Sequence, residues 1–337
     1  KNPLVLAGGG VTLSDASAEL LELIELLSIP VATSLMGKSA IPEDHPLALG
    51  VAGREGHETA NVMLDSNKTD VLLALGTSFH TGTTIGWRKN FGGEKTIQVD
   101  IDPPEIGKNY PVEVGIVGDI KTVLRDLIDL LKNDLERSEE KTLRAMKELM
   151  VEKKKDILKL KNELKYYDEP TMFSAAIPIK PQRACKEIRN FAEKDTIFWT
   201  DCGNNLAWSE RYIQAIGSPR TFLVNGSMTH MGYSLPASMG SKLAQPQRTV
   251  IDIIGNGSFQ MMSKEVLTAC AYDIPVIWCI LNDRNLGRIA HGMKFGWGEW
   301  TPERYIACFD YTMNFEKFAE ACGAYGKTVE KPDEIRE

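Results

Sequence analysis

Short, almost wholly apolar runs recur along this chain, each set off from the next by a stretch with helical periodicity. In the first third they are "PLVLAGGG" (3–10), "IPVATS" (29–34), "DVLLALG" (70–76) and "KTIQVDID" (95–102). A strand that is apolar on both faces has to be covered on both, and a parallel sheet between layers of helices is the architecture that does so. The intervening "SDASAELLELIELL" (14–27) puts Leu20, Ile24 and Leu27 on one helical face, with Ser14 expected to cap its N-terminus. "VGDIKTVLRDLIDLLK" (117–132) closes the unit as an amphipathic helix. The alternation restarts at "RACKEIRNFAEK" (183–194) and runs through the strands "TIFWTD" (196–201), "TVIDII" (249–254) and "IPVIWCIL" (274–281). The predicted fold is α/β: two doubly wound, Rossmann-like parallel-sheet domains, residues 1–132 and 183–337.

Residues 133–182 differ in character. The stretch 133–168 is dense in both signs of charge, yet Leu143, Met146, Leu149 and Met150, then Ile157, Leu160 and Leu164, recur at helical spacing. Solvated linker helices packed on one side account for this; a partner-binding coiled coil would need a longer, cleaner heptad. "EPTMFSAAIPIKPQ" (169–182) reads as extended linker.

A length of 337 residues suits two domains with separate cores. A net charge of −7 argues against nucleic acid or an acidic membrane as partner, though not against a small anionic ligand held by backbone amides and a metal ion. Cys185, Cys202, Cys270, Cys279, Cys308 and Cys322 contain no C-x-x-C pair, and Cys270, Cys279 and Cys308 sit in apolar runs. This pattern implies a reducing, cytoplasmic compartment with neither a disulfide framework nor a zinc site. No apolar run approaches the ~20 residues of a membrane span. The chain opens on Lys1, so a native N-terminus and any targeting signal are expected to lie upstream.

Chemistry concentrates in "IDIIGNGSFQMMSKEVL" (251–267), where an apolar strand passes through Gly255-Asn256-Gly257 and Ser258 into a helix. Glycines let a ligand approach the backbone, and the first amides of a helix attract anions. Alone, the pattern also fits a plain strand–turn–helix junction. A second oxygen-rich turn, "NDRNLG" (282–287), follows the next strand. Adjacent strands of a doubly wound sheet end at one crevice, so both turns are expected to face one pocket.

The 27 residues from Asn256 to Asp283 resemble the spacing of the G-D-G…N-N signature of thiamine diphosphate enzymes. "MGYSLPASMGSKLAQPQRTVIDIIGNGSFQM" (231–261), "YDIPVIWCILNDRNLG" (272–287) and "TDCGNNLAWSERY" (200–212) are similar to the diphosphate-binding domain of that family. "LAGGGV", "IPVATSLMGKSAIPEDHPLALGVAG" and "VDIDPPEIGKN" resemble the middle domain of the acetolactate synthase large subunit. The resemblance implies Mg²⁺ held by Asn256, Asp283 and the Asn285 carbonyl, and diphosphate held near Gly255, Gly257 and Ser258, with Gly203 and Asn204 at a further turn. Met231 would wedge beneath the thiazolium, the Thr229 carbonyl would hold the cofactor's amino group, and His230 is a candidate pocket residue. The implied reaction is decarboxylation of a small 2-oxo acid and addition of the resulting carbanion to a second carbonyl. Capture by a proton would make a simple decarboxylase instead.

This sequence also departs from the family pattern. Asn256 stands where the family has Asp, which leaves open a weakened metal site or a non-catalytic, cofactor-binding paralogue. The family's activating Glu lies in a pyrimidine-binding domain that would precede Lys1, and "EKPDEIRE" stops before the family's usual last strand. The chain is therefore expected to be a fragment of a homodimeric or homotetrameric protein, or a subunit that borrows the missing domain. FAD stays open. Gly8–Gly10, Leu35–Gly37 and Asp100–Asp102 keep the family's turns, whereas "LGTSFHTGTTIGW" (75–87) lacks its arginine-bearing segment. Those turns could equally close a sheet, or hold the ribose of another nucleotide. The family's channel Trp falls at Gly292, with His291, Trp297 and Trp300 nearby as candidate channel residues or simply surface and packing residues.

Overall fold

The computed structural model describes residues 2–65, 67–138, 140–217, 219–226, 228–297, 307–309 and 313–336; of residues 141–143, 146, 294–297 and 336 it describes the backbone only. The chain divides into two compact units, residues 1–166 with 214–220, and residues 167–213 with 221–337.

The first unit runs β1 (Pro3–Ala7), α1 (Gly9–Leu13), α2 (Ser17–Leu27), β2 (Val31–Thr33), β3 (Ala48–Val51), α3 (Glu58–Met63), β4 (Val71–Leu75), β5 (Lys95–Asp100), β6 (Val114–Val117), α4 (Ile120–Glu136) and α5 (Glu140–Glu163). Its six strands are all parallel, in the order β3-β2-β1-β4-β5-β6. The central strand β1 is closed to solvent from Leu4 to Ala7, as an apolar strand covered on both faces requires. Leu20, Leu23 and Ile24 of α2 and Leu124 and Ile128 of α4 join the same core, and α5 contributes Ile157 to it.

Ser14 does not cap α2. It ends α1, its hydroxyl donating to the Gly10 carbonyl at 2.8 Å, because a separate short helix precedes α2 and the chain turns again before Ser17. Residues 214–220 belong to this unit. Buried Lys38 pairs with Glu43 at 2.6 Å, and Glu43 accepts the Ala215 N–H at 2.6 Å.

The second unit comprises α6 (Glu169–Met172), α7 (Pro181–Phe191), β7 (Ile197–Thr200), α8 (Asn204–Tyr212), β8 (Phe222–Val224), α9 (Ser234–Ala244), β9 (Val250–Gly255), α10 (Asn256–Met262), α11 (Glu265–Ala271), β10 (Ile277–Leu281), α12 (Gly287–Trp297) and α13 (Phe315–Ala321). The stretch expected to be extended linker thus holds a helical turn at α6 and the start of α7; Pro at the second and first helical positions suits both, since a helix start needs no N–H there. The four strands are parallel in the order β10-β9-β7-β8. From β7 the chain steps one way to β8 and then back past β7 to β9. That reversal opens a crevice at the carboxyl ends of β7 and β9.

Leu235 and Met239 of α9 pack with Ile254, Phe259 and Val266 to form the core on one face. The indole of Trp199 donates to Ser241 at 2.8 Å and that of Trp278 to Ser238 at 3.3 Å, tying α9 to β7 and β10. Cys185 is fully buried, whereas Cys270, Cys279 and Cys308 are partly covered. Burial pushes the thiols of Cys185 and Cys279 up to about 12, which keeps them protonated and unreactive.

Candidate functional site

Three turns meet at the crevice of the four-stranded sheet. After β7, Gly203 takes φ 131°, a conformation open to glycine, and α8 starts at Asn204. After β9, Gly255 caps α10, whose first residue is Asn256 itself. After β10 come Asn282 to Leu286 and then α12. Register pairs Leu281 with Gly255, so the second and third turns leave the sheet side by side.

Hydrogen bonds lock the turns together. The Ser258 hydroxyl donates to the Cys202 carbonyl at 3.2 Å, bridging the first and second turns. The Asn205 amide, buried beneath them, donates to the Asp201 carbonyl at 2.7 Å and the Ile253 carbonyl at 3.0 Å. The third turn is braced by residues 307–309: Leu286 N–H donates to Ala307 at 2.7 Å and Phe309 N–H to Arg284 at 2.9 Å.

At the junction, one end of the Asn256 amide lies 3.1 Å from Asp283 Oδ1 and 3.2 Å from the Asn285 carbonyl oxygen. The Asn285 N–H also donates to Asp283 Oδ1, at 2.9 Å. An octahedral Mg²⁺ with ligands at 2.0–2.1 Å has neighbouring ligand oxygens about 3.0 Å apart. The inner end of the Asn256 amide stands at such a spacing from both acceptors, which is equally the spacing of an amide N–H donating to each. Among the described residues no three His, Cys, Asp or Glu side chains are grouped as a metal site.

Burial raises the Asp283 carboxyl above its ordinary range, while the Asn285 N–H and the nearby His291 pull it down. Side chains crowd the glycines here: a Cβ on Gly287 would stand 2.2 Å from Asp283 Oδ2, and one on Gly257 2.6 Å from Leu286 and 3.1 Å from Met231, so those side chains would have to shift. The Asn204 amide meets Nδ1 of His291 at 3.2 Å.

Residues 1–127 match the family described as "Thiamine pyrophosphate enzyme, central domain", and residues 201–337 match "Thiamine pyrophosphate enzyme, C-terminal TPP binding domain". The chain belongs to the thiamine pyrophosphate enzyme family. It is 39% identical over 343 residues to a probable acetolactate synthase large subunit of Methanocaldococcus jannaschii, covering 100% of this chain and 54% of that protein. Against the acetolactate synthase of Mycobacterium bovis it is 32% identical over 337 residues, 99% of this chain and 52% of the relative. The acetolactate synthase large subunit of Buchnera aphidicola is 32% identical over 339 residues, with 56% of it covered. The chain thus spans about half the length of these relatives.

In this family member Thr229, His230 and Met231 lie on one turn. Thr229 has φ 47°, unusual for a β-branched residue and therefore a site of backbone strain, and Gly232 has φ 87°. Met231 between them reaches Gly257. His230 is exposed, paired with the Asn225 amide at 2.9 Å and set edge-on to Tyr233. Trp300 lies outside the described residues, as does the side chain of Trp297; Gly292 and His291 fall in α12.

Two carboxylates escaped sequence reasoning. Asp201, 2% exposed, accepts the N–H groups of Gly232 at 2.9 Å and Ser234 at 2.8 Å, and so fixes the turn that carries Met231. Asp252, wholly buried in β9, accepts the Ser234 hydroxyl at 2.8 Å. Burial, with the Asp201 charge adding to it, raises Asp252 to about 8, so it is neutral at pH 7. The only signal for either was an acid inside an apolar strand run. Asn205 was overlooked because its neighbour Asn204 absorbed the turn's reading.

The glycines of the first unit pack turn against turn. Gly8 N–H donates to Leu75 at 2.8 Å and Gly10 N–H to Gly76 at 3.0 Å, and a Cβ on Gly37 would stand 2.1 Å from the Ala7 carbonyl oxygen. The Gly8 and Gly10 amides are thus engaged by β4 and the residue after it. Among the described residues no helix is long and apolar enough to cross a membrane.

Proposed function

We propose that this chain is the middle and diphosphate-binding part of a thiamine diphosphate- and Mg²⁺-dependent enzyme that decarboxylates a small 2-oxo acid and joins the product to a second carbonyl, as in acetolactate synthesis. The observation that supports the reading is the meeting of the Asn256 amide with Asp283 Oδ1 at 3.1 Å and the Asn285 carbonyl at 3.2 Å, beside glycines where a Cβ would crowd Asp283 and Leu286. Thiamine diphosphate, when bound, supplies a thiazolium that accepts the electrons released as a 2-oxo acid loses CO₂.

The protein's part is to bind and position. Asn256, Asp283 and the Asn285 carbonyl would hold the cation, and Gly255, Gly257, Ser258, Gly203 and Asn204 the diphosphate. Met231, seated against Gly257, would support the thiazolium, and the strained Thr229 backbone would present its carbonyl to the cofactor's amino group. His230 would border the substrate. The working form would be a homodimer or homotetramer in which a pyrimidine-binding domain completes the site. The same site with a proton as electrophile is a simple decarboxylase.

Calorimetric titration of thiamine diphosphate with Mg²⁺, repeated in EDTA, tests the reading. Saturable, Mg²⁺-dependent binding supports it, and silence in both conditions, unrescued in Asn256→Asp, removes it. A non-catalytic cofactor-binding relative is the second reading, favoured by one feature: the Asn256 amide can satisfy its turn without any cation. Cofactor binding without turnover of a 2-oxo acid by the complete assembly would establish that alternative.

A further inference from the structure

An amide has two unlike ends, and at position 256 they face unlike surroundings. The inner end faces acceptors only, Asp283 Oδ1 at 3.1 Å and the Asn285 carbonyl at 3.2 Å, while the outer end faces donors. Hydrogen bonding therefore assigns Nδ2 to the inner position when no cation is present. Nδ2 has two hydrogens and two acceptors in reach, so the metal-free junction is satisfied. A cation needs the reverse, with Oδ1 inward. The terminal torsion of Asn is broad and roughly two-fold, so half a turn exchanges the ends without backbone movement.

We propose that Asn256 is a two-position switch in this turn: with Nδ2 inward it bonds Asp283 and Asn285 in place of a cation, and with Oδ1 inward it completes the cage around one. The proposal rests on the cation-site reading above and adds to it what the site does when empty of metal. An aspartate at 256 would have no inward donor. Without a cation it would set a second carboxylate about 3 Å from Asp283, a repulsive contact. Asn256 removes that repulsion and keeps the second and third turns together at low cation concentration. The same two hydrogen bonds must be given up, and Nδ2 turned toward donors, before a cation binds. The cation affinity of the native chain should accordingly be roughly 10- to 100-fold weaker than that of Asn256→Asp.

The test uses the full chain with Mg²⁺ alone as probe. The side-chain NH₂ pair of Asn256, identified in a ¹⁵N-correlation spectrum by its absence from Asn256→Asp, should exchange slowly with solvent in EDTA and lose that protection as Mg²⁺ is added. Asn256→Asp should melt at a lower temperature than the native chain in EDTA and gain more on Mg²⁺ addition, with the tighter binding shown by calorimetry. If Asn256→Asp does not fold, Asn256→Ala identifies the same resonances and the exchange measurement stands by itself. An Asn256 pair that exchanges as fast as a surface amide in EDTA overturns the proposal. Equal Mg²⁺ affinity in the native chain and Asn256→Asp does so too. Absence of Mg²⁺ binding by both proteins overturns this switch together with the cation site. Mg²⁺ binding with the expected amide response but no uptake of thiamine diphosphate would leave the switch standing and remove only the cofactor reading.

Discussion

Single residues at this crevice are tuned by what surrounds them, and Asp252 shows it most directly. Its folded value of about 8 lies above the roughly 3.9 of an exposed aspartate. Between those values the folded chain holds a proton that the unfolded chain has released. Its stabilising contribution is therefore complete below about pH 4 and is lost as pH rises through about 8. Asp252→Asn keeps an acceptor for Ser234 and has no proton to lose. Thermal melts of this variant should show a flatter pH dependence across that window than the native chain, and an unchanged slope would mean that Asp252 is ionised in the fold. Gly287 acts through space alone. In Gly287→Ala the new methyl displaces Asp283, so Mg²⁺ affinity should drop roughly tenfold or more, while the melting temperature moves little. Parallel calorimetry and melting would separate the two effects.

Elements show where sequence patterning succeeds. The strands found by their continuous apolar runs are β1, β2, β4, β5, β7 and β9, all interior to their sheets, and β10, a five-residue edge strand. The overlooked ones are three or four residues long, β3 (Ala48–Val51), β6 (Val114–Val117) and β8 (Phe222–Val224), and each lies at a sheet edge. In β6 the pattern vanishes because Val114 and Val117 are exposed. Site turns divide the same way: the Gly255–Ser258 and Asn282–Gly287 turns were legible as motifs, while the supports given by Asn205 to Ile253 and by Asp201 to the Met231 turn span 48 and 31 residues and leave no local motif. Helix α4 offers a direct check on amphipathicity. Leu124 is buried and Leu130 is 65% exposed. Leu124→Ala should cost about 2–5 kcal/mol, and Leu130→Ala no more than about 0.5 kcal/mol, in urea unfolding followed by circular dichroism.

At the scale of the whole molecule, two units with separate cores need not lose structure together. Five of the six tryptophans, all but Trp87, lie in residues 167–337, so intrinsic fluorescence follows the second unit and far-ultraviolet circular dichroism follows both. Glu43→Ala removes the carboxylate that buried Lys38 pairs with at 2.6 Å and the acceptor of the Ala215 N–H, and should cost the first unit about 1–3 kcal/mol. The dichroism transition should then move to lower denaturant than the fluorescence transition; coincident curves would show the units unfolding as one. The excursion at residues 214–220 bears on how the molecule can be taken apart. These seven residues leave the second unit after α8, join the first, and return before β8. A single cut near residue 166 therefore cannot yield two clean pieces: the first loses the Ala215 bond to Glu43, and the second inherits a loop shaped for a surface it no longer has. An expressible second unit calls for that loop to be replaced by a short connector, and the first unit calls for the same seven residues supplied as a peptide.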